Sequence, residues 1–160
     1  MDQRTPMLSE NNLQKIEELK TKYPTTRALT LPVLWMVQEE HGFISPEAMK
    51  YVADLLKVPY SHVFGVVTFY TMYNARKVGK HHIEVCTNVS CLLRGSGKIV
   101  EHLEDRLGIR MGETSSDGKW TLSEVECMGS CGTAPMCAIG EEYYENLNPE
   151  KVDSVLNELQ

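Results

Sequence analysis

Cys86 and Cys91 bracket Thr87-Asn88-Val89-Ser90, and Cys127 and Cys131 bracket Met128-Gly129-Ser130. These two pairs constrain the chain more than any other feature, because whatever fold forms must serve them. Thiolate sulfur is a soft, anionic ligand, so four thiolates on two short segments suit zinc or an iron–sulfur cluster and not a hard cation.

Spacing narrows the choice without closing it. Structural zinc usually takes its cysteines in C-x2-C knuckles, whereas the gaps here are four and three residues. A C-x4-C segment can spread its sulfurs over one iron of a binuclear cluster, and plant-type [2Fe–2S] ferredoxins use that gap. Their following C-x2-C is missing here, so a [2Fe–2S] cluster, zinc and disulfides all stay open. The disulfide reading is weakened by the polar stretch Met1–Asn12, which lacks the basic start and apolar core of a secretory signal, so the thiols are expected to stay reduced. A fifth cysteine, Cys137, makes the count odd, and 160 residues can bury a sizeable core without covalent staples.

Charge excludes one class of partner. Sixteen Lys and Arg against 22 Asp and Glu give a net charge of −6 with no basic run, so nucleic acid is not expected to bind. The longest apolar stretch, Val63–Tyr70, is far shorter than the ~20 residues a membrane span requires. No direct membrane insertion is expected.

The first half reads as helical. Leu13, Ile16, Leu19 and Tyr23 recur at helical spacing and stop before Pro24. A second helix is expected over 31–41, with Gly42 as its stop, and a third from Ser45 as N-cap and Pro46 at N1 to near Val58. Val63–Tyr70 has strand-like composition, but Ser61 can cap a short helix, and a helix to about Thr68 is preferred. Tyr70, Met72 and Tyr73 read as core or interface aromatics, and Ala75–Lys80 as a polar hinge.

The second half changes period. His82–Cys86 alternates as a strand that delivers Cys86 to its end, and a loop with the first cysteine pair, Gly95 and Gly97 leads to a helix over 98–107. Asp117-Gly118 marks a turn before a strand over 120–126 that runs into Cys127. Residues 136–139 and 142–144 read as a hairpin about Gly140-Glu141, and Asn148 and Pro149 open a last helix. If the two cysteine-bearing strands are neighbours, both pairs emerge at one sheet edge, where sites in α/β proteins collect. The fold class expected is α+β: a helical bundle over 1–76, then a thioredoxin-like α/β domain over 77–160.

With C-x4-C, a βα unit, Glu126-Cys127-Met128-Gly129-Ser130-Cys131-Gly132-Thr133-Ala134-Pro135 and Tyr143-Tyr144-Glu145-Asn146-Leu147, the chain resembles the thioredoxin-like [2Fe–2S] ferredoxins. Leu31-Pro32-Val33-Leu34, Gly42-Phe43-Ile44 and Val67–Tyr73 extend the resemblance to the small iron–sulfur subunits of the NADH-oxidising module of respiratory complex I, NADH:quinone oxidoreductase. The resemblance implies one [2Fe–2S] cluster per chain, ligated by Cys86, Cys91, Cys127 and Cys131, and no catalytic residue in this chain. It also implies that the helical half docks on a partner flavoprotein that binds FMN and NADH and belongs to the rest of complex I. The setting implied is cytoplasmic, peripheral on the inner face of the plasma membrane through the complex.

Hydride chemistry belongs to that partner, since no G-x-G-x-x-G follows a strand here. Hydroxyls of Ser90, Ser130 and Thr133 are expected to donate to sulfur, so that losing the Ser130 hydroxyl would lower the reduction potential. Cys137 reads as a small buried hydrophobe. A zinc-stabilised interaction module, a thiol–disulfide oxidoreductase, and the equivalent subunit of an NAD-linked hydrogenase or formate dehydrogenase are the alternative readings.

Overall fold

The computed structural model describes residues 7–159, so Met1–Pro6, part of the stretch read above for a secretory signal, lies outside the described residues. The chain divides into two compact units, Met1–Lys77 and Val78–Gln160.

The first unit holds α1 (Glu10–Lys22), a 3-10 turn (Thr26–Leu29), α2 (Thr30–His41), α3 (Pro46–Leu56) and α4 (Tyr60–Phe69). Its boundaries follow local chemistry. Ser45 Oγ accepts the Ala48 N–H at 3.1 Å beside Pro46 at N1, and Gly42 closes α2 with φ +78°, a conformation that only glycine adopts freely. Two expected boundaries shift. α3 stops at Leu56, because Lys57 turns left-handed as its C-cap, and α4 starts ahead of Ser61, because the Pro59 carbonyl already accepts the His62 and Val63 N–H groups. Val33, Leu34, Val37, Val52, Leu56 and Val63 form the buried centre. Glu40 ties α2 to the start of α1, accepting the Ser9 hydroxyl and the Asn12 side-chain amide at 2.6 Å; the Ser9 hydroxyl leads the contacts that hold its carboxyl below the ordinary range. Tyr73 is core, its hydroxyl donating to the Leu31 carbonyl at 2.8 Å, whereas Tyr70 and Met72 are exposed.

The second unit is a four-stranded sheet built from β1 (His81–Cys86), β2 (Trp120–Val125), β3 (Cys137–Ile139) and β4 (Glu142–Tyr144), in the order β2-β1-β3-β4. β1 and β2 are parallel neighbours, joined through α5 (Val89–Leu93) and α6 (Ser96–Leu107), while β3 and β4 pair antiparallel. α7 (Pro149–Glu158) closes the chain, with Asn148 Oδ1 accepting the Lys151 N–H at 2.8 Å. Ile83, Val85, Trp120 and Leu122 point to one face of the sheet and pack with Ile99 and Leu103 of α6 and Val152 and Leu156 of α7. Successive strand side chains alternate, so Cys86 falls on the face opposite Val85. The first cysteine segment departs from expectation: Cys91 sits within the short helix α5 and not in an open loop.

His81 gives this unit an acid sensitivity. Its ring lies 4.9 Å from that of Trp120, and its Nε2 is buried without a hydrogen-bond partner among the described residues. Burial first, then the nearby Lys80 and Lys119 charges, lowers its pKa. The unfolded chain therefore takes up a proton near the ordinary histidine pKa of about 6.5 that the folded ring resists, and stability falls as pH drops below that value. The urea midpoint is expected to fall more between about pH 7 and pH 5 in the native chain than in His81→Phe. Parallel pH profiles for the two would show that the ring is not held neutral.

Candidate metal centre

The parallel pairing of β1 with β2 places Cys86 beside Val125 in register, so both cysteine segments leave the same end of the sheet. Asn88 caps α5, which carries Cys91, while Cys127 and Cys131 follow β2 on a segment that ends in a 3-10 turn over Cys131–Thr133. The Cys86 N–H donates to the Met136 carbonyl at 3.2 Å, and the Thr87 N–H to the Val125 carbonyl at 3.3 Å, which pins the first segment to its neighbours on both sides.

All four cysteines line one cavity of about 80 Å³, together with Asn88, Val89, Ser90, Gly129 and Ser130. None of these described lining residues brings a carboxylate or an imidazole. Cys86 and Cys91 are buried against Ala134 and Met136, whereas Cys127 and Cys131 are exposed. Burial, followed by a hydrogen bond with Cys86, pushes the Cys91 thiol up to about 11. The Gly129 N–H donates to Cys127 Sγ at 3.3 Å, and φ of +79° at Gly129 gives that residue its glycine requirement. The four thiols surround this shared space in a buried and an exposed pair. That donor set fits a binuclear cluster, whose four thiolates are divided between two irons.

A match to the sequence model of the thioredoxin-like [2Fe–2S] ferredoxin covers residues 16–160. The chain belongs to that family. Within it, the chain is 43% identical over 152 residues to an NADH-quinone oxidoreductase subunit of Rickettsia conorii, covering 93% of this chain and 91% of the relative. It is 41% identical over 143 residues to the corresponding NADH-quinone oxidoreductase subunit of Rhizobium meliloti, covering 89% and 85%. Among solved structures, the NAD⁺-reducing [NiFe]-hydrogenase in its H2-reduced state superposes with a TM-score of 0.71 at 16% identity, over 86% of this chain and 23% of the hydrogenase chain. At that identity the likeness is one of fold, and this chain spans about a quarter of the hydrogenase chain.

Cys137 lies apart from the other cysteines. It pairs with Val85 in β3, is 4% exposed among the residues packed under α6 and α7, and burial pushes its thiol up to about 12. Two of the three hydroxyls expected to face sulfur do otherwise. Ser130 and Thr133 both donate to Glu145 Oε1, so the single Ser130 proton is committed to a carboxylate and is not available to sulfur. Two further contacts on the second segment had no signal in the cysteine spacing: the Glu145 carboxylate, and Arg94 Nη1 donating to the Gly132 carbonyl at 3.3 Å. Glu145 lies in a motif that carries the family resemblance, yet its partner is distant in sequence. Among the described residues, no helix is long and apolar enough to cross a membrane.

Proposed function

We propose that this chain is the electron-transfer subunit of an NADH:quinone oxidoreductase, holding one [2Fe–2S] cluster through Cys86, Cys91, Cys127 and Cys131. The observation that carries the reading is that these four cysteines, and not Cys137, line a single cavity in a member of a [2Fe–2S] family. When bound, such a cluster accepts and returns one electron at a time. The chain's own residues set how it is held. Cys86 and Cys91 anchor the buried side, the Gly129 N–H offsets negative charge at Cys127, and the exposed Cys127 and Cys131 face the side from which a redox partner approaches.

That partner is an NADH-binding flavoprotein whose FMN takes the hydride and passes single electrons on. The helical unit is its docking element, and the exposed aromatics Phe64 and Phe69, 48% and 76% exposed on α4, support that role. The division of labour is between residues 1–76 for docking and 77–160 for the cluster. The complex holds the chain at the inner face of the plasma membrane. A second reading, with which the shared fold is compatible, is the equivalent subunit of an NAD-linked hydrogenase or formate dehydrogenase, with the same cluster and a different terminal substrate.

An absorption and paramagnetic-resonance spectrum of the purified chain, before and after dithionite, tests the cluster. Two irons and two labile sulfides per chain, with a signal that appears on reduction, is the expected result. A colourless chain holding one zinc would replace the redox reading with a zinc-stabilised interaction module.

A further inference from the structure

Glu145 stands on the turn between β4 and α7, and its backbone is fixed from three directions. The Lys151 ammonium donates to its carbonyl at 2.6 Å, the next residue's N–H, Asn146, donates to the Thr133 carbonyl at 2.6 Å, and the Leu147 N–H donates to the Pro135 carbonyl at 2.9 Å. From this anchored position the carboxylate reaches back to the segment that follows Cys127. Its Oε1 accepts the Thr133 hydroxyl at 2.6 Å and the Ser130 hydroxyl, and the two hydroxyl oxygens lie 2.7 Å apart.

Ser130 lines the cavity between Gly129 and Cys131, so this carboxylate holds the cavity wall from outside. The segment it holds has few ties of its own. Gly129 and Gly132 are backbone without side chains, Cys127 and Cys131 are exposed, and the Arg94 guanidinium grips the Gly132 carbonyl. Hydrogen bonds to an ionised acceptor are the stronger kind, and two converging on one oxygen fix a loop better than either alone.

Resting on the assignment of the four cysteines as ligands, we propose that Glu145 is a positioning residue of the metal centre: it clamps the Ser130 and Thr133 hydroxyls so that Cys127 and Cys131 are held ready to ligate. Its carboxylate bonds the two hydroxyls and acts on the thiols through them. Its role is to make the exposed half of the site rigid, as the buried half is made rigid by packing around Cys86 and Cys91.

The test compares Glu145→Ala and Glu145→Gln in the full chain, reading the rate of metal loss to an excess of chelator and the line shape of the reduced-state resonance. Glutamine keeps an oxygen that accepts both hydroxyls, and alanine keeps none. E145A is expected to lose metal several-fold faster than the native chain and to broaden the resonance, while E145Q, whose neutral amide oxygen accepts the same bonds more weakly, stays much closer to the native chain in both. Adding E145A to a chain already carrying S130A and T133V is expected to change the rate no further. Native-like retention in E145A, or an E145Q as labile as E145A, overturns the clamp. The rate is read on whichever metal the native chain holds. Zinc in the native chain would therefore defeat the cluster reading while the clamp was still scored, and native-like E145A would defeat the clamp alone.

Discussion

Cys91→Ala is expected to abolish the visible absorption and the reduced-state resonance together, with near-complete loss of bound iron, and Cys86→Ala, Cys127→Ala and Cys131→Ala to do the same. Each removes one of the four thiolates that a [2Fe–2S] cluster draws from a site of four cysteines. The described cavity wall offers no spare thiol, imidazole or carboxylate to replace it, since the other lining residues are Asn88, Val89, Ser90, Gly129 and Ser130 and a serine oxygen is a poorer match for iron–sulfur chemistry than thiolate. Cys137→Ala supplies the contrast. That thiol is buried on the opposite face of the sheet, among Val85, Leu103 and Leu156, and removing its sulfur costs only the small packing loss of trimming one buried atom. Its spectrum should match that of the native chain at slightly lower stability. Iron retained in Cys91→Ala, or lost in Cys137→Ala, would reassign the site.

The separation in space of Cys137 from the other four cysteines was readable before the fold was known, for a physical reason. Cysteine spacing is a local property of the chain, and so are helix caps, so Ser45 with Pro46 and Asn148 with Pro149 marked their helices at the observed positions. Alternation likewise identified β1, and the strand order then brought both cysteine pairs to one end of the sheet. What could not be read was either too short or too distant. Val89–Leu93 has too few residues to show a helical period, so Cys91 looked like a loop residue. The Ser130 hydroxyl looked like a donor to sulfur because its real acceptor, Glu145, is brought to it only by the β3–β4 hairpin and the turn that follows. Residues 75–80, read as a polar hinge, do hold the boundary between the two units. Gly79, however, is buried against β2.

The buried end of that stretch leads to the second large effect, in Gly79→Ala. A Cβ at Gly79 would sit 2.8 Å from the Trp120 carbonyl carbon and 2.9 Å from the carbonyl carbon and oxygen of Lys119, closer than real Cβ atoms approach. All three are backbone atoms of the lead into β2, so no side chain can swing aside. The Gly79 N–H also donates to the Thr121 hydroxyl at 2.6 Å, and the next two N–H groups, of Lys80 and His81, bond the Gly118 and Lys119 carbonyls at 3.0 and 2.8 Å. Alanine must therefore prise the start of β1 from β2. Overpacking of this kind costs about 1–3 kcal/mol, more where backbone has to move, and each kcal/mol lowers the melting temperature of a domain this size by roughly 4–8 °C. The register of β1 on β2 also sets where Cys86 stands relative to the strand that feeds Cys127, so Gly79→Ala should lose metal faster to a chelator. Gly97→Ala is the control within the same unit: an added Cβ meets nothing within 4 Å, and alanine is the better helix former by up to about 1 kcal/mol. Melting Gly79→Ala at or above the native temperature, with Gly97→Ala unchanged, would show that β1 and β2 do not approach this closely. The expected order, Gly97→Ala above native and Gly79→Ala well below it, ties metal retention to a glycine far from the thiols through the pairing of two strands.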